Sequence, residues 1–232
     1  ECGQRHDPRP APKATRGTGK RRRPVHTIVY EVKNAIGQVV AEHIRKEYDN
    51  GEKSFTWRRD GQWNLGGLPV RDLPLYGLPE LLATPPGASV VVTEGEKARD
   101  VLKRRGILTV GTVTGAKGTP NDATLDPLLE YSVILWPDND SDGRHHMQRI
   151  AARLMALGTT PKVVNWPDAL PKGDAADFLG DDAALAQLLA SAVPYQAPPV
   201  TSTNGRYPQD QADTDHRQDY PALDACDKEG KE

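Results

Sequence analysis

The sequence predicts an α/β protein in which a parallel sheet flanked by helices follows a small antiparallel β-rich subdomain. Residues 89–94 and 131–136 are short apolar runs rich in β-branched side chains and bounded by turn residues, which is typical of buried parallel strands. From residue 88 onward, strand patterns alternate with helix patterns. Repeated strand–helix units with short links imply a parallel sheet with right-handed crossovers.

The chain of 232 residues is long enough for one substantial α/β domain with appendages. We predict a basic disordered arm, a β-rich subdomain, the parallel-sheet domain and a disordered acidic tail, at residues 1–24, 25–87, 88–195 and 196–232. Both ends are rich in Pro, Gly or polar residues and poor in apolar ones, which indicates disorder.

The β-rich subdomain is predicted to be a small meander. Its three strands are expected at residues 27–32, 37–44 and 53–58, with turns near 34–37 and 49–51. A connector punctuated by Gly and Pro follows and ends in a short helix near residues 79–82.

The parallel-sheet domain is predicted to contain four strands and the helices between them. The strands are expected at residues 89–94, 107–113, 131–136 and 161–165. The helices are expected at residues 96–105, 124–129, 144–157, 174–179 and 182–192, with a loop at 114–123. Ile150, Leu154 and Leu157 share one face of the helix at 144–157, with the spacing needed to pack on a sheet.

The composition bears on the possible partners and on the cellular location. The net charge of −2 indicates no polyanionic partner by itself, and the only cysteines, Cys2 and Cys226, lie in the polar ends. They suggest no disulfide framework, so a reducing cytoplasm is the simplest location. There is no apolar run of transmembrane length and no signal-peptide pattern, so we expect no membrane contact. The chain begins with Glu1, so we expect a fragment or a trimmed product.

Acidic residues follow the predicted strand 131–136. Asp138, Asp140 and Asp142 alternate, and in an extended backbone residues two apart share a face. Two unit charges at ~4 Å repel by about 4 kcal/mol at an effective dielectric constant near 20. Such a cluster needs cations or hydrogen-bond donors to offset this repulsion. Mg²⁺ fits, because it takes one or two carboxylates and completes its shell with waters and substrate phosphates.

Two other interpretations use the same residues. An Asp-rich turn that caps the helix at 144–157 would have the same composition, because Asp and Ser accept hydrogen bonds from backbone N–H groups at a helix start. The pattern Asp-x-Asp-x-Asp-Gly also opens an EF-hand calcium loop. The twelfth position of that loop would be Arg149 rather than Glu, and a strand precedes it, which disfavours calcium.

Glu94 favours the metal-site interpretation over capping alone. It ends a second buried strand and precedes Gly95, where the chain can turn tightly or approach a ligand closely. Glu96 is best explained as an acidic residue in the first helical turn, where its negative charge interacts favourably with the helix dipole. For Lys97, a solvated surface lysine and a phosphate contact are equally good interpretations.

The loop at 114–119 does not satisfy the P-loop spacing, because Gly111 and Gly115 stand one residue too close and neither Ser nor Thr follows Lys117. This loop is better interpreted as a flexible, basic, Gly-containing loop, and phosphate contact is only weakly indicated. Neighbouring helix residues point in different directions, so His145 and His146 do not easily bind one metal. We therefore expect both to be exposed polar residues.

The segment 88–165 resembles a Toprim domain, the Rossmann-like metal-binding module shared by bacterial primases, topoisomerases and some nucleases. The matching residues are Glu94-Gly95 and, about 40 residues later, Asp138-x-Asp140-x-Asp142-Gly143. The run 93–98 is similar to the form found in phage, plasmid and mobile-element primases. The region 27–82 also looks like the β-rich part before Toprim in those proteins, and 171–179 is similar to a later acidic motif.

The resemblance implies residue roles and cofactors. Glu94 would be the acid/base residue or a metal-associated carboxylate, Asp138 and Asp140 the metal-binding pair, and Asp142 an auxiliary ligand. The cofactor would be Mg²⁺ or Mn²⁺. Zinc is not expected, since only Cys2 and His6 could remain from a zinc ribbon. Asp174 and Asp177 fit helix capping equally well.

The function implied is a primase-type nucleotidyltransferase that synthesises RNA primers in DNA replication. Its partners would be single-stranded DNA template, nucleoside triphosphates and a replicative helicase. The nucleic-acid or nucleotide contacts expected are Lys97, Lys117, Arg58, Arg59, Arg21, Arg22 and Arg23. Trp57 and Trp63 could stack on bases, and core packing is favoured for at least one of them. A Toprim nuclease and a non-catalytic DNA-binding replication accessory are the alternatives.

Overall fold

The computed structural model describes residues 22–197. The predictions for Arg21, Cys2, Cys226, the earlier part of the basic arm and the acidic tail lie outside these residues. Of the described residues, 22–196 belong to one compact unit that contains two sheets.

The first sheet is the predicted antiparallel meander. Its strands, in spatial order, are β1 (His26–Lys33), β2 (Val39–Glu47) and β3 (Lys53–Arg58). Tyr30 lies opposite His43, which lies opposite Trp57. Because directly opposed residues share a face, these three aromatic rings lie on one side of the sheet.

The second sheet is parallel except at one edge. Its five strands lie in the order β5 (Thr109–Gly111), β4 (Ser89–Thr93), β6 (Ser132–Trp136), β7 (Lys162–Val163) and β8 (Val193–Pro194). The last strand runs antiparallel to β7 and was not predicted. Two residues are too short a run to leave a periodic signal.

Helices cover both faces of the second sheet. The α-helices are α1 (Leu78–Leu82), α2 (Glu96–Arg104), α3 (Asp122–Leu125), α4 (Ser141–Ala156) and α5 (Asp182–Ala190). Short 3₁₀ helices occur at Val70–Asp72, Asp126–Glu130 and Ala175–Asp177.

Strand β4 contributes to two core clusters, one on each face. Val90 and Val92 pack in the cluster that includes Ile150 of α4, and Val91 packs in the cluster that includes Leu102 of α2. This alternation explains why the strand is apolar throughout, as the sequence predicted for a buried parallel strand.

Tyr76 connects the two sheets. Its backbone exchanges hydrogen bonds of 2.8 and 2.9 Å with Gly111 of β5. Its ring lies edge-on to Tyr30 of β1, with 5.8 Å between centroids. The buried Arg99 of α2 lies against the same ring and donates to the Thr109 carbonyl at 3.1 Å. The antiparallel sheet is therefore fixed against the edge of the parallel sheet.

Several predicted elements differ in extent. The helix expected at 124–129 is a short α-helix, Asp122–Leu125, followed by a 3₁₀ helix, and the helix expected at 174–179 is only a 3₁₀ turn, Ala175–Asp177. The helix expected at 144–157 begins at Ser141, because the side chain of Asp140 caps it. The strands expected at 107–113 and 161–165 shorten to Thr109–Gly111 and Lys162–Val163. No helix among the described residues is long and apolar enough to cross a membrane.

Gly77→Ala is expected to destabilise the fold more than Gly87→Ala. Both glycines have positive φ, at 95° and 85°, so alanine should cost each site about 1 kcal/mol of backbone strain. Only at Gly77 would the new methyl also meet the Arg99 guanidinium, at 2.6 Å. In urea unfolding, we expect Gly77→Ala to lose at least about 1 kcal/mol more. Equal losses would show that Arg99 moves aside freely.

Candidate active site

The carboxyl ends of β4 and β6 lie side by side, because these strands pair in parallel with Thr93 opposite Trp136. Glu94 directly follows Thr93, and Asp138 follows Trp136 after one proline. The structure thus places both predicted residues at the same edge of one sheet, where ligands bind in open parallel sheets.

Glu94 is a half-buried carboxyl group in an acidic environment. Its Oε2 atom is buried and has no hydrogen-bond partner among residues 22–197. Burial, and then the charges of Asp140 and Asp142, raise the pKa of Glu94 to about 7, although Arg149 acts in the opposite direction. A group with this pKa exchanges its proton near neutral pH.

The pKa of Asp138 is raised further than that of Glu94. Burial raises the pKa of Asp138 to about 8, and the charges of Glu94 and Asp174 contribute in the same direction. Gly143 packs against this residue: a Cβ there would lie 2.8 Å from the Asp138 Cβ and 2.9 Å from its carbonyl oxygen. A glycine at the start of α4 therefore allows the acidic loop to pack closely on the helix.

Asp140 and Asp142 belong to the start of α4. Asp140 is the N-cap residue, and its Oδ1 accepts a hydrogen bond of 2.8 Å from the Gly143 N–H. Asp142 lies in the first helical turn and is exposed. Because helix α4 begins at Ser141, the alternating acids are not on one extended strand. The capping interpretation is correct for Asp140, whose charge nevertheless acts on Glu94.

The later acidic motif lies at the same rim. Asp174 and Asp177 form a capping box around a 3₁₀ turn, so capping explains part of their role. The Lys97 Nζ lies 3.3 Å from the Asp174 Oδ2 and 3.8 Å from the Asp177 Oδ1. Both acids also raise the pKa of Asp138. Lys97 is therefore the cation that faces this rim from α2.

His146 contradicts the prediction of an exposed side chain. It is fully buried, while its neighbour His145 is exposed. Its Nδ1 lies 2.9 Å from the Gly118 carbonyl oxygen, which only accepts, so Nδ1 carries a proton. Burial lowers the pKa of His146 to about 4 and keeps the ring neutral. The Thr112 hydroxyl lies within donating distance of both His146 Nε2, at 3.0 Å, and the Glu94 carbonyl, at 2.8 Å.

Helical periodicity could have predicted this burial. The buried residues of α4 are Gly143, His146, Met147, Ile150, Ala151 and Leu154, which form one stripe. Counting back from Ile150 by four residues gives His146.

The loop at 114–119 is held by α4 as well. Arg149 donates to the Thr119 hydroxyl at 2.9 Å and to the Gly118 carbonyl at 3.2 Å. Lys117 is exposed at the outside of this loop. The buried Thr114 hydroxyl has no hydrogen-bond partner in the described part of the chain.

Sequence reasoning missed the contact between the antiparallel sheet and α2. Glu96 was assigned to the helix start alone, but it is buried and its Oε1 lies 2.7 Å from the His43 Nδ1. His43 is stacked on Trp57, with ring centroids 4.1 Å apart. The two partners are 53 residues apart, so no local pattern could indicate this pair. Trp57 is partly buried and packs against a core cluster that includes Val32 and Ala41.

The predicted basic contacts are dispersed. Arg58 forms a bidentate ion pair with Glu42 across the sheet. Arg59 lies next to Asp60 and donates to the Leu65 carbonyl at 3.3 Å. Arg22 and Arg23 are exposed before β1. These residues lie in the antiparallel part of the fold, whereas Lys97 and Lys117 lie at the end of the parallel sheet.

The residues at this rim fit a divalent metal chemically, although they are not a preformed ligand set. In residues 22–197, no group of three or more His, Cys, Asp or Glu side chains is arranged to hold a metal ion. However, the Glu94 Oε2 is buried without a partner, and Glu94 and Asp138 both have raised pKa values. Mg²⁺ needs only one or two carboxylates when phosphates and waters supply the rest.

The fold is that of primase catalytic cores. The E. coli primase catalytic core aligns with a TM-score of 0.54 and 21% identity, over 78% of this chain and 57% of that one. A DNA primase domain from Pseudomonas aeruginosa gives a TM-score of 0.55 and 19% identity, over 72% and 52%. The DnaG primase catalytic domain bound to single-stranded DNA gives 0.56 and 17%, also over 72% and 52%.

These similarities confirm the predicted fold class. The chain spans only 52–57% of the length of these three structures. No protein-family model and no curated protein matches the chain.

Asp138→Asn should stabilise the metal-free protein at alkaline pH. With a pKa near 8 when folded and near 3.8 when unfolded, Asp138 binds more protons in the folded state between these values. The free energy of unfolding therefore falls as the pH rises through this range, and Asn removes the loss. In EDTA we expect a gain of roughly 1–3 kcal/mol at about pH 8.5 that shrinks toward zero near pH 4.

Denaturant unfolding between pH 4 and 9 measures this difference. Asp168→Asn is the matched control, because Asp168 is exposed. A gain for Asp138→Asn that does not change with pH would contradict the electrostatic explanation.

Proposed function

We propose that this chain is a primase-type nucleotidyltransferase that synthesises RNA primers on a DNA template. The observation that supports it is the pairing of Glu94 and Asp138 at adjacent strand ends, where burial and like charge raise the pKa values of both. Carboxylates held in this way bind a cation strongly, and the fold around them is that of primase catalytic cores.

Glu94 and Asp138 would hold Mg²⁺ or Mn²⁺, with Asp140 and Asp142 adding negative charge from the start of α4. When bound, the metal would orient the triphosphate and neutralise charge on the displaced phosphates. The Asp140 carboxylate keeps one oxygen on the Gly143 N–H, which fixes the direction of its other oxygen.

The alternative role for Glu94, if it stays outside the coordination shell of the metal, is to act on a proton. In the proposed reaction the 3′-oxygen of the growing primer forms a bond to the α-phosphorus of a nucleoside triphosphate, and diphosphate leaves. The hydroxyl proton must be accepted, and the Glu94 Oε2 is a buried acceptor with a pKa of about 7. Such a pKa is well matched to a general base at neutral pH.

The basic residues would contact the nucleic acid and the nucleotide. We assign phosphate contacts to Lys97 and Lys117 at the rim, and template contacts to Arg22 and Arg23 with Arg58 and Arg59. The template would be single-stranded DNA, and a replicative helicase would be the protein partner. The protein would act in the cytoplasm and would be encoded by a phage, plasmid or mobile element. Binding through such contacts weakens steeply with salt.

The direct test is primer synthesis by the full chain on single-stranded DNA, with ribonucleotides and Mg²⁺ or Mn²⁺. Glu94→Gln and Asp138→Asn should each reduce synthesis roughly 100-fold or more, since they remove charge at the reacting centre. Asp168→Asn, on the exposed surface, should retain full activity. EDTA should abolish synthesis.

Two results would contradict this proposed function and support one of the alternatives. Metal-dependent nicking of plasmid DNA without nucleotides, lost in Glu94→Gln, would indicate a nuclease. Normal replication in a complementation assay with both carboxylate variants would indicate a non-catalytic accessory protein.

A further inference from the structure

The buried pair of His43 and Glu96 joins the antiparallel sheet to the start of helix α2. Their side chains are only 14% and 7% exposed, and the His43 Nδ1 lies 2.7 Å from the Glu96 Oε1. A carboxylate oxygen accepts, so Nδ1 carries the proton of this hydrogen bond. Because a buried carboxylate is costly without a partner, the pair fixes where the first turn of α2 meets the sheet.

Stacked rings hold the His43 side of this contact in place. His43 lies directly opposite Trp57, and the centroids of the two rings are 4.1 Å apart with an angle of 11° between their planes. The centroid of the Phe55 ring lies 5.2 Å from that of the imidazole, at an angle of 29°. An imidazole stacked on two rings has little freedom to rotate away from Glu96. The sheet therefore presents a fixed donor to the helix.

The helix side of the contact has less local support. The N-cap residue of α2 is Gly95, which provides no side-chain cap. The helices α3, α4 and α5 differ, because each begins with a side-chain cap, from Asn121, Asp140 and Asp181. Glycine also has the greatest backbone freedom of any residue. The start of α2 thus depends on contacts with the rest of the fold, and Glu96, its first residue, makes the one to His43.

The parallel sheet supports the backbone just before this helix. The Thr93 hydroxyl donates to the Gly95 carbonyl at 3.1 Å, and the Thr112 hydroxyl lies 2.8 Å from the Glu94 carbonyl. These contacts hold carbonyl groups of the turn, whereas His43 holds the side chain of the first helical residue. The turn from β4 into α2 is therefore fixed by both sheets of the protein.

This helix start carries proposed site residues on either side of Glu96. Glu94 lies two residues before it, and Lys97 directly follows it. Within the described range, the Glu94 Oε2 has no hydrogen-bond partner, so the backbone decides where this oxygen lies. The Lys97 Nζ lies 3.3 Å from the Asp174 Oδ2. A shift of the first turn of α2 would therefore move the proposed metal ligand and the cation of the rim together.

We propose that His43 and Glu96 are positioning residues for the active site. Through this pair the antiparallel sheet holds the first turn of α2, and with it Glu94, in the arrangement that binds the metal. The proposal rests on the proposed function only in assigning the metal to Glu94 and Asp138. His43 and Glu96 act through the backbone and touch neither metal nor substrate.

The test is Mn²⁺ binding by the full chain without nucleotide, measured from the electron paramagnetic resonance signal of free Mn²⁺. His43→Phe keeps a ring for stacking but removes the donor, and it should weaken Mn²⁺ binding roughly 10-fold, as loss of a group that orients a metal ligand does. His43→Asn should retain most of the affinity, because its amide N–H lies near the position of Nδ1. In primer synthesis, kcat of His43→Phe should fall by a similar factor.

Tyr76→Phe is the matched control, because it removes another hydrogen bond to the same helix. The Tyr76 hydroxyl donates to the Asp100 Oδ2 at 3.2 Å, one turn beyond Glu96. Urea unfolding measures the stability that each variant loses. Tyr76→Phe should lose stability but keep the Mn²⁺ affinity and kcat of the wild type. If His43→Phe does not fold, Glu96→Leu replaces it, with Glu96→Gln as the variant that keeps an acceptor.

The outcomes separate the positioning role from the proposed function. Mn²⁺ binding that weakens in His43→Phe but not in His43→Asn or Tyr76→Phe supports the role, even if the chain makes no primers. Unchanged Mn²⁺ affinity and kcat in folded His43→Phe overturn it, including when the wild type synthesises primers. An equal loss of affinity in Tyr76→Phe also overturns it, because any loosening of α2 would then have the same effect. A wild-type chain that binds no Mn²⁺ overturns both the role and the proposed metal site.

Discussion

Parallel pairing of β4 with β6 forces Glu94 and Asp138 to the same edge of the sheet, and the burial of these two carboxyl groups among other acids is the constraint on which the rest of the site depends. The hydrophobic core below them holds the strands together regardless of the repulsion among these acids. Val90, Val92 and Leu135 are fully buried, so the sheet does not separate to relieve the charge. Burial, together with the neighbouring negative charges, instead raises the pKa values of both groups, and a bound cation would offset this effect.

The surrounding elements each hold one side of this rim. Helix α4 carries the cap at Asp140 and places the His146 Nε2 3.0 Å from the Thr112 hydroxyl, which lies 2.8 Å from the Glu94 carbonyl. Helix α2 presents Lys97 toward Asp174. The antiparallel sheet reaches the same helix through His43 and Glu96. Side chains from α2, α4 and the acidic segment at 174–177 thus meet at one edge of the parallel sheet, and the antiparallel sheet contacts the start of α2 beside it.

Sequence patterns predicted the parts of this arrangement that are local. The apolar strands β4 and β6, the helix after each and the three-strand meander all have periodicities that can be recognised over a few residues. The same reasoning placed Glu94 and Asp138 at strand ends, and the structure brings them together. Placement of Asp140 required a choice between capping and metal binding, and the structure shows that it caps the helix while its charge still acts on Glu94.

The remaining features could not be predicted because they depend on distant pairs. The contact of His43 with Glu96 and the bridge between Tyr76 and Gly111 join residues with no common local pattern. The edge strand β8 is defined by its pairing with β7 rather than by its own sequence. His146 is different, since its burial follows from the helical period of α4.

The central claim is that Glu94 and Asp138 form one electrostatically coupled, cation-binding pair. Carboxyl ¹³C NMR titration of the full chain measures this directly, with Glu94→Gln and Asp138→Asn used to assign the signals. In EDTA the pair should titrate with apparent pKa values near 7 and 8, and excess Mg²⁺ should move both well below this range. Titration at ordinary carboxyl values, unchanged by Mg²⁺ or by loss of the other carboxylate, would contradict the account.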